Sequence, residues 1–308
     1  MKKQVTMVVD DVIWCLRDLA RTTPKSIFDI PFLGMLKENH DKYGMKIQLH
    51  LFYRTDYFYG EDEFTLAEVP DTYKKEWEEN SDWLKLSYHA KQEFPDYPHI
   101  NATYEDMKKG FETVRNEIFR FAGEKTFTYA FIPHWVPVSR EGCLALRDCG
   151  VSLLAATHGD IQEYNGDPNS LPYGHALRLL NHRQPETKIF TRGGRDVAIS
   201  RSACAYNHLT SEQVMETMYN SKYVVSNIGL PLKVASPSIC LNHTPLEEIE
   251  KDMLKHVQDE YFGGVTHEQY FYPDYLAYQP DTREKFDVFC KTVTDNGYTF
   301  IHFEDLVK

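Results

Sequence analysis

Short apolar runs alternate with amphipathic stretches along nearly the whole sequence, and this rhythm limits the fold more than any single residue does. "VTMVV" (5–9), "KIQLHLFY" (46–53), "DWLKLSY" (82–88), "TFTYAFIP" (126–133) and "VSLLAAT" (151–157) read as strands, and "GGVTHEQYFY" (263–272) and "YTFIHFEDL" (298–306) as later ones. Between them lie helical patterns. "DIPFLGMLKENHDKYG" (29–44) ends at Gly44, a residue suited to the left-handed position that closes a helix. "TYEDMKKGFETVRNEIFRFAG" (103–123) repeats Met107, Phe111, Val114, Ile118 and Phe121 on one face, with Thr103 placed as its cap and Asp106 at the reciprocal position. "SREGCLALRDCG" (139–150) and "TREKFDVFCKTVTDNG" (282–297) are further helices. "TPLEEIEKDMLKHVQDEY" (244–261) should start with Thr244 as cap, Pro245 in the first turn and Glu247 behind it.

Strands that alternate with helices imply a parallel sheet. A chain of 308 residues with no composition break or linker suits one α/β barrel better than two domains. The segment 158–207 breaks the rhythm. It contains "YNGDPNSLPYG" and the short candidate strands "KIFTR" and "DVAISRSAC", and reads as an insertion with some β character. It also carries His175, Arg178, His182, Arg192 and Arg195. These could read an anionic group on a substrate, or simply form a solvated surface.

The bulk properties exclude some functions. A formal charge of −12 opposes a nucleic-acid backbone. No apolar run reaches the length of a membrane span. The start "MKKQVTMVVDD" has no apolar core before its acidic pair, so a cytoplasmic protein is expected. The six cysteines (Cys15, Cys143, Cys149, Cys204, Cys240, Cys290) show no CxxC spacing and read as reduced thiols.

In a parallel barrel the chemistry gathers where the strands end. Here the strand ends carry Asp10 and Asp11, Arg54 and Asp56, His89, Pro133-His134-Trp135, and His267-Glu268-Gln269. Two adjacent carboxylates share one site only if a cation or proton offsets their repulsion. The plainer alternative has Asp11 capping a helix that starts near Ile13. His89 is followed by Glu93 at i+4, and on a helical turn the two would share a face and hold two coordination positions. Otherwise His89 is a hydrogen-bonded structural residue and Glu93 a solvated charge.

An Asp-Asp pair ending the first strand and a His-centred motif ending the third resemble the polysaccharide deacetylases, the NodB-homology family. The closing "NGYTFIHFEDL" resembles the usual end of that family. The likeness spans most of the chain as an order of elements, while only Asp10-Asp11 and His89 match closely. It implies a single distorted (β/α) barrel of about seven parallel strands and a metal-dependent removal of an acyl group from an N-acyl sugar. By that resemblance Asp10 is the general base, Asp11 and His89 bind a divalent metal, and His267 is the general acid.

The sequence departs from the pattern twice. The family's second motif ends in another histidine, where this chain has Glu93. Its third motif carries an Arg two residues before a Pro, where this chain reads Phe131-Ile132-Pro133 followed by His134. A metal held by Asp11, His89 and Glu93 would carry two carboxylates, which favours a manganese- or magnesium-type ion relative to zinc. Alternatively His134 completes the ligand set and Glu93 stands behind it. Arg54 is the candidate to orient Asp10 in place of the missing Arg. Trp135, Tyr270 and Tyr272 could flank a sugar ring or merely pack.

The expected reaction is hydrolysis of an N-acyl, acetyl-like bond on a carbohydrate or related small molecule. The expected partners are that substrate and no nucleic acid or membrane, with a homo-oligomer compatible. The rivals are a glycosidase pairing Asp10 or Asp11 with Glu268, a metal-free amidohydrolase, and a non-catalytic carbohydrate-binding protein.

Overall fold

The structure, a computed structural model, describes residues 3–55, 63–94, 98–99, 101–156, 160–161, 180–181, 187–192, 195–200, 209–218, 220–234 and 239–308. The first half of the chain follows the expected alternation. Strand β1 (Gln4–Val12) leads into helices α1 (Trp14–Thr22) and α2 (Pro31–Tyr43), then β2 (Ile47–Phe52), α3 (Lys74–Glu79) and β3 (Leu84–Ala90). Helix α4 (Tyr104–Phe121), β4 (Ala130–Phe131), α5 (Arg140–Asp148) and β5 (Leu153–Ala156) follow.

The 158–207 segment holds two antiparallel pairs, β6 (Asp160–Ile161) with β7 (Leu180–Asn181), and β8 (Thr187–Arg192) with β9 (Arg195–Ser200). The second pair coincides with the two candidate strands. Arg192 and Arg195 are register partners at one end of that pair, while His175, Arg178 and His182 lie outside the described residues. The chain then gives α6 (Ser211–Met218), β10 (Val224–Val225), β11 (Pro231–Val234), β12 (Ile239–Cys240), α7 (Leu246–Leu254), β13 (Tyr261–His267), α8 (Thr282–Asp295) and β14 (Thr299–Phe300).

Helix boundaries follow local chemistry. Thr103 caps α4 by accepting from the Asp106 backbone N–H at 3.1 Å, and Met107, Phe111, Val114, Ile118 and Phe121 are the buried face of that helix. Gly44 closes α2 with φ 67°, where a side chain would be strained. Helix α7 differs from expectation: Pro245 is its cap position, and it stops at Leu254 rather than running to 261. The segment after Leu254 is needed instead for a buried pair, His256 Nδ1 with Asp259 Oδ2 at 2.9 Å.

The sheet is parallel in its main run, in the order β12-β13-β1-β2-β3, with β14 alongside the start of β1. A second run has the order β10-β11-β5-β4, with β11, β5 and β4 parallel. The two runs meet where Leu86 on β3 bridges Phe127, just before β4. Ser87 Oγ donates to the Thr128 carbonyl and the His134 backbone N–H to the His89 carbonyl, so β3 and residues 127–134 lie side by side. Ala130, Leu153 and Ala155 from the second run pack in one buried cluster with Tyr261 of β13 and with Ile301, Phe303 and Leu306 near the C-terminus. Gly264 on β13 lets α8 approach, because a Cβ there would overlap the Phe289 ring and the Met7 sulfur. Among the described residues no helix is long and apolar enough to cross a membrane.

Candidate metal centre

The ends of the parallel strands converge on one buried group of polar side chains. Strand β1 delivers Asp10 and Asp11, β3 delivers His89, the turn after β4 delivers His134, and β13 delivers His267. Asp10 and His267 are register partners on adjacent strands. Asp10, Asp11, His89 and His134 are all buried, as is His50 in the middle of β2.

Adjacent residues on a regular strand point to opposite faces, so Asp10 and Asp11 need a break in β1 to share a site. The break is present. The β1–β2 register shifts between Val9 and Val12, and Asp11 has φ 62°. The left-handed conformation is uncommon outside glycine, although Asp tolerates it better than most residues. A second strained turn sits beside His134: Trp135 and Val136 have φ 60° and 73°, and the Val136 N–H closes back on the Pro133 carbonyl at 2.8 Å. Such backbone strain persists only where surrounding structure enforces it.

The hydrogen bonds fix the protons. His89 Nδ1 lies 2.8 Å from the Ile132 carbonyl, and His134 Nε2 lies 2.8 Å from the Glu93 carbonyl. A carbonyl only accepts, so both of these nitrogens carry the hydrogen. The remaining ring nitrogens, His89 Nε2 and His134 Nδ1, turn inward and are 3.0 Å apart. Asp11 Oδ1 lies 3.1 Å from the first and 3.2 Å from the second. These three atoms share one site only with a cation or a proton among them. Asp11, His89 and His134 could hold a metal ion, their donor atoms lying within 4.8 Å of one another. Ligands on an ion with bonds of about 2.0–2.1 Å sit about 2.9–3.4 Å apart, so the spacing fits without rearrangement.

Asp10, His50 and His89 also lie within the same distance, but their chemistry is different. His50 Nδ1 and Asp10 Oδ1, 2.7 Å apart, form an ordinary donor–acceptor pair that leaves no opposed lone pairs.

The two oxygens of Asp11 have separate duties. Oδ1 faces the imidazoles, while Oδ2 accepts from Gln269 Nε2 at 3.1 Å. The same amide donates to Glu93 Oε2 at 2.9 Å. Gln269 therefore stands between the two carboxylates. Burial acts to raise the Asp11 carboxyl, but His134 and His267 outweigh it and hold it well below the ordinary carboxylate range. Asp10 is also lowered, since His89 and His50 outweigh its burial. Burial pushes the nearby His99 down to about 3, so this ring is neutral, and its Nε2 lies 3.1 Å from the His89 carbonyl.

Several residues singled out from the sequence stand elsewhere. Glu93 is buried, but its carboxylate is separated from Asp11 by the Gln269 amide, and His134 occupies the third corner of the cluster. The chain after β3 bends at 91–93 rather than forming a helix, so the i+4 geometry that would bring Glu93 beside His89 does not arise. Arg54 pairs elsewhere, its Nε donating to Gln92 Oε1 at 2.6 Å, and the side chain bonded to Asp10 is His50. Glu268 is committed to α1. Its carboxylate accepts from the backbone N–H groups of Ile13, Trp14 and Cys15 at 2.7, 2.8 and 2.7 Å. It thereby caps the helix that Asp11 was a candidate to cap, and is removed from pairing with Asp10 or Asp11 across a cleft. Burial raises its carboxyl, and those bonds oppose the rise.

His267 is partly exposed, with Nδ1 3.0 Å from Asn242 Oδ1 and Nε2 3.9 Å from Asp11 Oδ2. Tyr270 packs against Tyr275 and Tyr272 against Trp14 at ring separations of 5.1 Å, which is core packing. Trp135 is half-buried beside His134, with ring centroids 6.1 Å apart.

Sequence reasoning missed His50, Gln269 as a bridge, and Asn242. His50 had one usable signal: Gln48, His50 and Phe52 alternate along β2 and share a face. The two amides had none.

No protein-family model and no curated protein matches the sequence. Solved structures do match. A family 4 acetyl xylan esterase from Clostridium thermocellum in complex with a cobalt ion is 12% identical, with a TM-score of 0.43 over 99% of this chain and 90% of that chain. A novel carbohydrate deacetylase is 11% identical, with a TM-score of 0.46 over 99% of this chain and 53% of that one. A 4-alpha-glucanotransferase from Thermococcus litoralis is 12% identical, with a TM-score of 0.54 over 100% of this chain and 40% of that one. The last is the firmest overlay of the three and speaks for the fold, an α/β architecture built on parallel strands.

Proposed function

We propose that this chain is a metal-dependent hydrolase that removes an N-acyl, acetyl-like group from a carbohydrate or a related small molecule. The observation that carries the reading is the convergence of three buried ligand atoms, Asp11 Oδ1, His89 Nε2 and His134 Nδ1, each imidazole fixed from behind by a carbonyl. Such atoms buried at this distance need a cation or a proton between them, and a divalent ion satisfies all three at once. Metal-binding histidines are characteristically held by such a bond from the second ring nitrogen.

A divalent cation held by Asp11, His89 and His134 would supply Lewis acidity toward a carbonyl oxygen and a water. Two imidazoles and one carboxylate suit zinc as well as harder ions. The protein supplies the rest. Asp10, ionised beside the cluster, accepts a proton from the attacking water as general base. His267 on the neighbouring strand, with one face toward solvent, delivers a proton to the leaving amine. Gln269 keeps Asp11 Oδ2 occupied, so that Asp11 offers one oxygen to the cluster. The half-buried Trp135 is the aromatic available to a sugar ring.

We further infer that the two parallel runs wrap into one distorted barrel forming a single domain. The shared interior cluster and the Leu86–Phe127 bridge support this, as does Lys233 of β11, whose Nζ lies 4.6 Å from the Tyr261 ring centroid on β13.

The test is turnover. The protein should be stripped of metal, reloaded with zinc, cobalt or manganese, and assayed on 4-nitrophenyl acetate and on N-acetylglucosamine oligomers. Acetate release that depends on added metal and is lost in Asp10→Asn is expected. Metal binding without release from any acylated probe would leave a binding protein instead.

A further inference from the structure

Among the described residues no arginine pairs with the proposed general base, and the structure assigns its orientation to a relay that runs from the chain's C-terminal segment through Gln48 and His50. We propose that His50 is the positioning residue for Asp10, and that Gln48 sets its tautomer. The inference rests on the reading of Asp10 as the base.

Each step follows from the one before. The Phe303 backbone N–H donates to Gln48 Oε1 at 2.7 Å. A backbone N–H cannot accept, so this oxygen is the amide's acceptor end and Nε2 its donor end. Gln48 Nε2 accordingly donates to the Ala130 carbonyl at 3.0 Å. Its second hydrogen faces His50 Nε2 at 3.3 Å, which makes that ring nitrogen the acceptor. The imidazole hydrogen is then on Nδ1, 2.7 Å from Asp10 Oδ1. His50 is fully buried, so both of its ring nitrogens are confined to these two partners.

The arrangement holds one oxygen of Asp10 in place. The other is left for a proton from the reacting water. A neutral donor does this without the full charge that an arginine would place beside a cationic centre. The C-terminal segment thereby has a second role besides filling the interior: Phe303 fixes the amide that fixes the imidazole.

The test has two arms. In the first, two-bond proton–nitrogen NMR correlations of the histidine rings are recorded on nitrogen-15-labelled protein, with the His50 signals identified by their loss in His50→Asn. The relay predicts the hydrogen on Nδ1 in the wild type. A hydrogen on Nε2 would overturn it. In the second arm, cobalt affinity and hydrolysis of 4-nitrophenyl acetate are compared for wild type, His50→Leu and His50→Asn. The Asn amide can replace Nδ1 as a donor, while Leu cannot. His50→Leu should lower kcat roughly ten- to a hundredfold with KM and cobalt affinity changed less than about threefold, and His50→Asn should recover most of the loss. Equal kcat in wild type and His50→Leu would overturn the assignment. If wild type binds cobalt but hydrolyses nothing, the hydrolase reading fails while the NMR arm still decides the relay.

Discussion

His89 Nε2 and His134 Nδ1 face one another across 3.0 Å, each within 3.2 Å of Asp11 Oδ1. Each ring spends a hydrogen on a carbonyl behind it, at Ile132 and at Glu93. With Asp11 Oδ1 close to both, the pair defines a place for a cation. The predictions below follow from that relationship and from the residues that hold it in position.

Gln269 keeps the carboxylates of Asp11 and Glu93 apart while donating to both. Gln269→Leu should leave their repulsion unbalanced and loosen Asp11. Calorimetric titration should show divalent-metal affinity lowered about ten- to a hundredfold, the range typical of residues that support a ligand. Unchanged affinity would remove Gln269 from the account.

Glu268 is structural in this account. It accepts three backbone N–H groups at the start of α1, donors that no residue of the helix itself can satisfy. Glu268→Ala should cost about 2–4 kcal/mol. Urea unfolding should show a lower midpoint with an unchanged slope, and metal affinity in the folded protein should be retained. A variant as stable as wild type that has lost its metal would instead make Glu268 a ligand.

Burial pushes the His302 imidazole down from 6.5 to about 4, and its Nε2 lies 3.0 Å from the Asp82 carbonyl. Between these values the unfolded chain binds the proton that the folded chain refuses. Stability is therefore fully present above about pH 6.5, falls as pH drops toward about 4, and levels off below that. The total from this group is about 3 kcal/mol. His302→Gln should flatten the slope over this window in urea unfolding measured as a function of pH. An identical slope in wild type and variant would contradict the assignment.

Much of the architecture could be read from residue patterns because its cause is local. The apolar face of α4 and the cap at Thr103 need only neighbouring residues, and both appear as expected. Asp10, Asp11, His89, His134 and His267 were findable because polar groups at strand ends stand out from the apolar runs before them. The ligand arrangement was harder. Pairing His89 with Glu93 assumed a helical turn, whereas the chain bends there and the lateral contact between β3 and residues 127–134 brings in His134. That contact joins residues more than forty positions apart, and no local pattern reports it. His50 was hidden because β2 is buried along its full length, so a polar residue on its inner face has no exposed alternation to mark it. Gln269 and Asn242 are neutral amides, and only their partners reveal what they do.

The central claim is that Asp11, His89 and His134 bind one divalent ion. Cobalt titration of the metal-free protein, followed by visible absorption, tests it most directly. The account predicts one ion per chain, affinity lowered at least about a hundredfold in His134→Ala and in Asp11→Asn, and affinity within about tenfold of wild type in Glu93→Gln, with all variants folded by circular dichroism. Contradiction would be a wild type that binds no ion, or a His134→Ala variant that binds as tightly as wild type while Glu93→Gln does not.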